Sequence, residues 1–333
     1  MVEEGTAAWH PAYHAARERG ALFSLPESSL VALSGAERLS YLNSLCTNKV
    51  VDLDPGQGAR AFLLNPAKGR VLADFLACAA EGALWLECAG GSAPAVLELL
   101  ARYYFGQEVK VRDETALWSV FSLQGPESSA ILERAGAVLP AETDAVHVEA
   151  EIGAHRGRIV RWSDTGEIGF HVWVSSAAAE PVSAAIHEAG AVAGRNEAWT
   201  VLQIEAGIAA YGRELTEETI PLEAPTENAI SHTKGCYPGQ EVIARLHVRG
   251  RPAKRLKGLL IEGDTVLEPG AVLDAGDKPA VARVTASGVS PVLGPIALAY
   301  VHRDYCEPGT RLVAAGGRAV EVADLPMIPV RAG

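Results

Sequence analysis

The residues best suited to thiol chemistry lie between positions 234 and 241. In order, they are Lys234-Gly235-Cys236-Tyr237-Pro238-Gly239-Gln240-Glu241. Pro238 suits the first turn of a helix, because its fixed φ angle fits there and its missing N–H would have no partner. A short helix is therefore predicted to start near Tyr237 or Pro238. Cys236 would then lie at the positive end of that helix beside Lys234, and both neighbours favour a thiolate. The alternative is a buried cysteine that only packs in a strand-to-helix corner.

A second candidate is a carboxylate in a largely apolar stretch. Glu205 lies in the run Gln203-Ile204-Glu205-Ala206-Gly207-Ile208-Ala209-Ala210-Tyr211-Gly212, where Gly207 predicts the end of a helix. Burying a carboxylate is unfavourable unless it accepts hydrogen bonds. Two N–H groups of a pterin-like ring would satisfy Glu205, and so would an arginine of the protein itself. The sequence leaves both alternatives open.

A third candidate is Asp74, within the strand-like run Gly69-Arg70-Val71-Leu72-Ala73-Asp74-Phe75. Aspartate is uncommon inside an apolar strand, so the side chain is expected to face a cavity. The alternative is an aspartate on the solvent side of the strand.

The cysteines do not form a pattern of their own. There are five, widely spaced and without a CxxC pair, which argues against a disulfide framework, a zinc site or a self-contained iron–sulfur ligand set. If Glu81-Gly82 is a two-residue hairpin turn, Cys78 pairs with Trp85 and not with Cys88. We therefore expect no disulfide there and no metal site.

The elements that position these residues are predicted from spacing and turn residues. Ser34-Gly35-Ala36-Glu37 has the pattern of a capping box, which predicts a helix at about 35–45. Strands are predicted at 59–64, 71–79, 84–88 and 118–123 and within 146–174, and helices from Ser92 to about 105, from 126 to 134, and at 177–189 and 196–206. This mixture of helices and long antiparallel stretches favours an α+β fold over a doubly wound parallel sheet.

The character of the chain changes after Gly250-Arg251-Pro252. Strand-like pieces alternate with Gly and Pro turns, and no helical period follows, so a small β-barrel is predicted. The predicted domains are a region over 1–250 and a barrel over 251–333. Region 1–250 is expected to hold two interleaved α+β subdomains, one of about 20–50 with 115–250 and one of about 51–114.

The net charge is −12, which does not suggest a general nucleic-acid binder. Six basic residues nevertheless lie between 245 and 257: Arg245, Arg249, Arg251, Lys254, Arg255 and Lys257. They form either a solvated face or a local site for an anionic ligand tail or RNA phosphates. The chain begins without the residue order of a secretion signal and has no apolar run of ~18–20 residues, so a cytoplasmic protein without a membrane segment is expected.

Three stretches together resemble one superfamily. The octet at 234–241 is similar to the K-G-C-Y-x-G-Q-E motif of the YgfZ family. The segment from Glu205 through Gly212 to Ile220-Pro221-Leu222-Glu223 resembles the E-A-G-x-x-x-Y-G…P-x-E run of glycine-cleavage T-proteins, and residues 283–301 resemble their C-terminal barrel.

This resemblance implies a T-protein-like folate-binding fold of three subdomains around a central hole, with a C-terminal β-barrel. It implies that tetrahydrofolate or a one-carbon derivative is bound, with Glu205 on the pterin ring and Asp74 at the position of the catalytic aspartate. Cys236 is the characteristic thiol of the YgfZ family. The other cofactor-binding positions that it implies are Tyr211, Lys234, Gly235, Tyr237, Gln240, Glu241 and Arg245.

Two functions follow from the resemblance. The first is a tetrahydrofolate-binding accessory protein for iron–sulfur cluster assembly or repair, which uses Cys236 and acts with assembly proteins on client enzymes, including tRNA-modifying ones. The second is a folate-dependent, aminomethyltransferase-like enzyme that transfers one-carbon units with Asp74. The octet favours the first, because T-proteins carry a basic cluster at that point. Asp74 keeps the second open, because many YgfZ proteins lack an acid there. Direct contact of tRNA with residues 245–257 is a further expectation.

Overall fold

The computed structural model describes residues 8–330, apart from the side chain of Arg249. Its helices are α1 (His10–Glu18), α2 (Arg38–Asn43), α3 (Ala93–Arg102), α4 (Ser128–Arg134), α5 (Ala179–Glu188), α6 (Asn196–Ala206) and α7 (Gln240–Arg249). Its strands are β1 (Ala21–Ser24), β2 (Ser29–Ser34), β3 (Gly58–Leu64), β4 (Val71–Ala80), β5 (Ala83–Cys88), β6 (Lys110–Asp113), β7 (Trp118–Gln124), β8 (His147–Ile152), β9 (His155–Arg161), β10 (Gly169–Ser175), β11 (Val192–Ala193), β12 (Lys254–Ile261), β13 (Val272–Ala275), β14 (Lys278–Ser290), β15 (Gly294–His302), β16 (Arg311–Ala314) and β17 (Arg318–Ala323).

The first subdomain is built on a six-stranded sheet with the strand order β11-β1-β7-β10-β9-β8. The side chains of strand β10 alternate between the two faces of this sheet, and the two faces pack against different parts of the protein. Phe170, Val172 and their neighbours pack against α4 and α5 in one apolar cluster. His171 and Trp173 point to the other face, toward the second subdomain.

The second subdomain is a five-stranded sheet with the order β3-β4-β5-β2-β6, covered on one face by α2 and α3. Its other face meets the first sheet through an apolar cluster that contains Leu30, Leu76, Val160 and Trp173. Residues 20–50 were predicted to belong to the first subdomain. Strand β2 instead pairs with β5 and β6, so the second sheet takes its strands from 29–113. This pairing buries Val31 and Leu33 under the two helices.

The third subdomain is a closed barrel of six antiparallel strands, β12-β15-β14-β13-β16-β17. It begins at Lys254, directly after the predicted boundary. Helix α6 packs on β14, where Gly288 allows close contact: a Cβ at this position would lie 2.8 Å from Cγ2 of Val201. The predicted α+β fold with a C-terminal β-barrel is therefore confirmed.

Most local predictions agree with the structure, including the pairing of Cys78 with Trp85. The capping box is an exception. Ser34 ends strand β2 instead, and α2 begins only at Arg38, with no side-chain cap. Within residues 8–330, none of the helices combines the length and apolar character that crossing a bilayer requires.

Candidate active site

A cavity of about 710 Å³ lies between the first two subdomains. Its charged lining residues include Arg60, Asp74, Glu87, Asp164, His171 and Arg213, and its aromatic ones include Trp162, Trp199 and Tyr211. The described barrel strands contribute no lining residue. The predicted hole is therefore lined by the two α+β subdomains and the segment that follows α6.

Asp74 lies on the wall of this cavity, as predicted. Residue 62 pairs with Asp74, and Arg60 pairs with residue 76, so Arg60 is a diagonal neighbour on the same face of the sheet. Arg60 donates from Nε to Oδ1 at 2.9 Å and from Nη2 to Oδ2 at 2.6 Å. Burial opposes the charge of Arg60, but the carboxylates of Asp74 and Asp164 together outweigh it and raise the pKa of the guanidinium. The bidentate pair holds the carboxylate in one orientation.

Glu205 does not face the cavity. It is fully buried and accepts hydrogen bonds from Tyr13 at 2.9 Å, from Arg17 Nη2 at 2.6 Å and from Ser290 at 2.5 Å. The sequence left open whether a pterin-like ring or an arginine of the protein satisfies Glu205, and in the structure it is an arginine, Arg17. Burial and the neighbouring Glu205 raise the pKa of Tyr13 to about 12, so its hydroxyl remains a donor at physiological pH. The assignment of Glu205 to a pterin ring is therefore not supported by this geometry.

The octet lies outside the cavity, and its helix starts later than predicted. Helix α7 begins at Gln240, because Gly239 has a φ of +83° and helical geometry cannot pass through it. Gly239 also lies so near the β3–β4 turn that a Cβ would be 2.9 Å from the carbonyl oxygen of Asn65. Cys236 is therefore not at the positive end of the helix. It is exposed on the preceding loop, so the packing alternative is wrong as well.

Lys234 is also placed differently from the prediction. Its ammonium group donates to the carbonyl oxygens of Asn43 and Cys46, where α2 ends in the second subdomain. It also lies 4.9 Å from the ring centroid of the buried Tyr237. Burial lowers the pKa of Lys234. The hydrogen bonds of Lys234 thus connect the octet to the second subdomain.

The other predicted binding residues separate into two groups. Tyr211 lines the cavity, and its hydroxyl donates to the carbonyl oxygen of Leu72 at 2.7 Å. Gly235, Gln240, Glu241 and Arg245 lie with the octet and α7 and are not part of the cavity wall. The structure therefore brings Asp74 and Tyr211 together and leaves the octet apart from them.

In the basic segment, two lysines already have partners. Lys254 lies 3.7 Å from Glu223 and over the ring of Tyr300, and Lys257 donates to Asp324 at 2.6 Å. Arg245, Arg251 and Arg255 are exposed. The contact of this segment with tRNA stays a prediction.

Sequence reasoning missed a buried histidine between two carboxylates. His171 Nδ1 lies 2.8 Å from Oε1 of Glu87, and Nε2 lies 2.6 Å from Oδ2 of Asp164. Burial works against its charge, but the two carboxylates outweigh it and raise the pKa well above 6.5. Trp173 Nε1 donates to Glu87 at 2.6 Å. One signal was visible in the sequence, namely a histidine between Phe170 and Val172 in an apolar strand.

Two α+β subdomains around a cavity, followed by a closed six-stranded barrel, define the glycine cleavage T-protein class of folds. The chain belongs to this family: residues 3–234 match the GCVT N-terminal domain, and residues 254–328 match the glycine cleavage T-protein C-terminal barrel domain. Proteins of this family bind tetrahydrofolate.

Individual relatives agree with this membership. The chain is 31% identical to an aminomethyltransferase of Streptomyces avermitilis over 94% of its own length and 87% of that protein. It is 28% identical to the human mitochondrial aminomethyltransferase over 94% of this chain and 80% of that protein. The crystal structure of the glycine cleavage system aminomethyltransferase T from Bartonella henselae is similar with a TM-score of 0.86 at 25% identity, covering 96% of this chain and 90% of that one.

Proposed function

We propose that this protein binds tetrahydrofolate in the cavity between its two α+β subdomains and transfers a one-carbon unit at Asp74, in the manner of an aminomethyltransferase. The observation that carries the proposal is the Asp74–Arg60 pair on the wall of a cavity of about 710 Å³. The similarity to proteins named aminomethyltransferase along 94% of the chain supports the same reaction class.

The lining of the cavity fits a folate. Its volume lies within the range of roughly 300–1,000 Å³ that is typical of cofactor and ligand sites. Trp162 and Trp199 offer flat aromatic surfaces, and Tyr211 adds a third ring. Polar groups are present too: the carboxylates of Asp74 and Asp164 line the same cavity. Aromatic walls with a few placed polar groups are what a ring system with N–H and C=O edges requires.

Asp74 is suited to positioning and to proton transfer. When bound, tetrahydrofolate would supply the nitrogen that receives the one-carbon unit. A carboxylate has about four acceptor sites, and Arg60 uses only one on each oxygen. The remaining sites can accept a proton from a nitrogen within hydrogen-bond reach, which is the geometry of a general base. Because the guanidinium fixes the carboxylate, that site is already oriented before the ligand enters.

The test is an assay of methylene-tetrahydrofolate formed from tetrahydrofolate and an aminomethyl or formaldehyde donor. We expect Asp74→Asn to lower turnover by roughly 10²–10⁴-fold, with tetrahydrofolate affinity in calorimetry changed much less. Asp264→Asn, on an exposed loop of the barrel, is the matched control and should leave both unchanged. Equal turnover by wild type and Asp74→Asn, or no tetrahydrofolate binding by the wild type, would refute the proposal.

A second candidate function rests on the octet. We propose, as the alternative, a YgfZ-type accessory role in iron–sulfur cluster assembly or repair, with Cys236 as the reacting thiol. The supporting observation is exposure: Cys236 is exposed, whereas Cys46, Cys78, Cys88 and Cys306 are buried.

Complementation separates this role from the first. In a strain that lacks its own YgfZ protein, Cys236→Ala should fail to restore the activity of iron–sulfur enzymes, including those that modify tRNA. Asp74→Asn should still restore it. Full rescue by Cys236→Ala would remove the thiol from the mechanism.

A further inference from the structure

Among the cavity-wall carboxylates that are not exposed, Asp164 has an oxygen to which no described group of the protein donates. Both oxygens of Asp74 accept from Arg60, and those of Glu87 accept from His171 and Trp173. Asp164 differs. Its Oδ2 accepts from Ser122 Oγ at 2.7 Å and faces His171 Nε2 at 2.6 Å, while no side chain or backbone group within residues 8–330 donates to Oδ1. The side chain is 14% exposed and lines the cavity.

Two neighbouring side chains, His171 and Ser122, fix the orientation of Asp164. His171 faces a carboxylate with each ring nitrogen, so it is an imidazolium that donates to both Glu87 and Asp164. Ser122 is fully buried on β7 and can donate its hydroxyl only within the protein. Both donors hold Oδ2, and the other oxygen is left on the cavity side.

The loop that carries Asp164 is fixed as well. Gln124, at the end of β7, is fully buried and donates from Nε2 to the carbonyl oxygen of Trp162 at 3.1 Å. Its Oε1 accepts from the backbone N–H of Asp164 at 3.1 Å and from Thr165 Oγ1 at 3.2 Å. A site on such a loop is preorganised, because its groups do not have to be ordered when a ligand binds.

The two residues before Asp164 also line the cavity. Ser163 follows Trp162 in the lining, but its hydroxyl oxygen is buried and is not presented to the cavity. Trp162 presents its ring to the cavity, with the Arg60 guanidinium 6.0 Å from the ring centroid. An aromatic face and a carboxylate oxygen thus lie two residues apart in the cavity wall.

We propose that Asp164 binds the N–H-rich edge of a 2-amino-4-oxopteridine ring, with Trp162 against the ring face. This assignment rests on the proposed folate function and gives the pterin-binding carboxylate to Asp164 instead of the buried Glu205. The chemistry is specific, because the 2-amino group and the adjacent ring N–H are donors and Asp164 Oδ1 accepts only. His171 and Ser122 are positioning residues, since they act through Asp164.

The experiment measures the affinity of four compounds by calorimetry. They are tetrahydrofolate, a tetrahydropterin without the p-aminobenzoylglutamate part, p-aminobenzoylglutamate alone, and a folate whose 2-amino group is replaced by methyl. Asp164→Asn should weaken tetrahydrofolate and tetrahydropterin by the same factor, roughly 10- to 100-fold. Its amide group would offer N–H to the donors of the ring. The affinity of p-aminobenzoylglutamate should not change.

The 2-methyl compound gives a readout that a structural role would not affect. The wild type should bind it more weakly than the 2-amino compound, and Asp164→Asn should lose this discrimination. Asp144 is an exposed carboxylate that lines the same cavity. Asp144→Asn makes the same change of charge and should keep the discrimination between the 2-amino and 2-methyl compounds. Ser122→Ala is the second variant. It leaves the charge unchanged, and it should weaken tetrahydropterin severalfold by releasing Asp164.

The failures are distinguishable. If the wild type binds tetrahydrofolate and Asp164→Asn binds it equally well, or keeps the discrimination, the assignment of Asp164 is overturned and the proposed function stands. If the wild type binds no folate, both are overturned. Thermal unfolding of each variant shows whether it is folded, and should Asp164→Asn fail to fold, unchanged tetrahydropterin binding by Ser122→Ala overturns the assignment.

Discussion

Arg17 Nη2 lies 2.6 Å from Oε2 of Glu205, and the two residues connect helix α1 to helix α6. The same guanidinium lies 2.8 Å from Glu167. These contacts make Glu205 a structural residue that holds α6 in place. Since α6 also supplies Trp199 and Gln203 to the cavity, its position determines the shape of the site.

The first prediction is therefore about stability. Arg17→Ala leaves two buried carboxylates without their cation and should lower the free energy of unfolding by roughly 3–5 kcal/mol. Denaturant unfolding measures this. Arg102→Ala removes an exposed pair with Glu98 and should cost at most about 0.5 kcal/mol. Similar losses in the two variants would contradict the structural role.

Glu205 itself provides the second prediction. Glu205→Gln should lower the unfolding free energy, because the Arg17 charge loses its buried partner, yet the dissociation constant of tetrahydrofolate should stay within about twofold of the wild-type value. Calorimetry below the unfolding transition tests this. If fully folded Glu205→Gln bound tetrahydrofolate tenfold or more weakly than the wild type, Glu205 would be the pterin-binding residue after all.

Arg60 tests the orientation of Asp74. Arg60→Lys keeps a positive charge but cannot form two parallel hydrogen bonds to the carboxylate. We expect turnover of the one-carbon reaction to fall by roughly 10-fold or more, with a smaller change in tetrahydrofolate affinity. Steady-state kinetics separate the two quantities. An equal loss in both would show that Arg60 acts only in binding.

His171 makes stability depend on pH. Its pKa is raised well above 6.5 in the folded protein, whereas an unfolded histidine has a pKa near ~6.5. Its contribution is therefore fully present below pH ~6.5 and is lost as the pH rises through the folded-state pKa. Unfolding free energies measured from pH 6 upward should fall in the wild type and fall less in His171→Gln. The control His302→Gln, at an exposed position, should show the wild-type dependence of unfolding free energy on pH. If His171→Gln also shows the wild-type dependence, this account is contradicted.

The exposed arginines near the barrel test contact with tRNA. Arg251→Glu with Arg255→Glu should weaken tRNA binding and make the dependence of log K on log salt concentration shallower by about 2. Arg311→Glu, which reverses an exposed charge elsewhere on the barrel, is the control. An unchanged salt slope in the double variant would exclude this segment from tRNA binding.

Local features of this protein were determined by the sequence itself. The hairpin that pairs Cys78 with Trp85, the strands around Asp74 and the barrel after Lys254 follow from alternation and turn residues. The position of Asp74 on the cavity wall was also predictable, because a carboxylate within an apolar strand is unfavourable unless it faces a cavity or a partner. Such features depend on neighbours within a few residues, whose geometry the backbone fixes.

Only the tertiary structure decided which partners the charged groups have. Glu205 pairs with a residue 188 positions away, Lys234 binds carbonyl groups 188 and 191 positions away, and His171 meets a carboxylate 84 positions away. A buried carboxylate needs donors, but its own sequence neighbourhood does not specify whether a ligand or the protein supplies them. Packing of the two sheets and of α1 on α6 gave Glu205 its donors within the protein, and for that reason we propose Asp164 for the pterin contact instead.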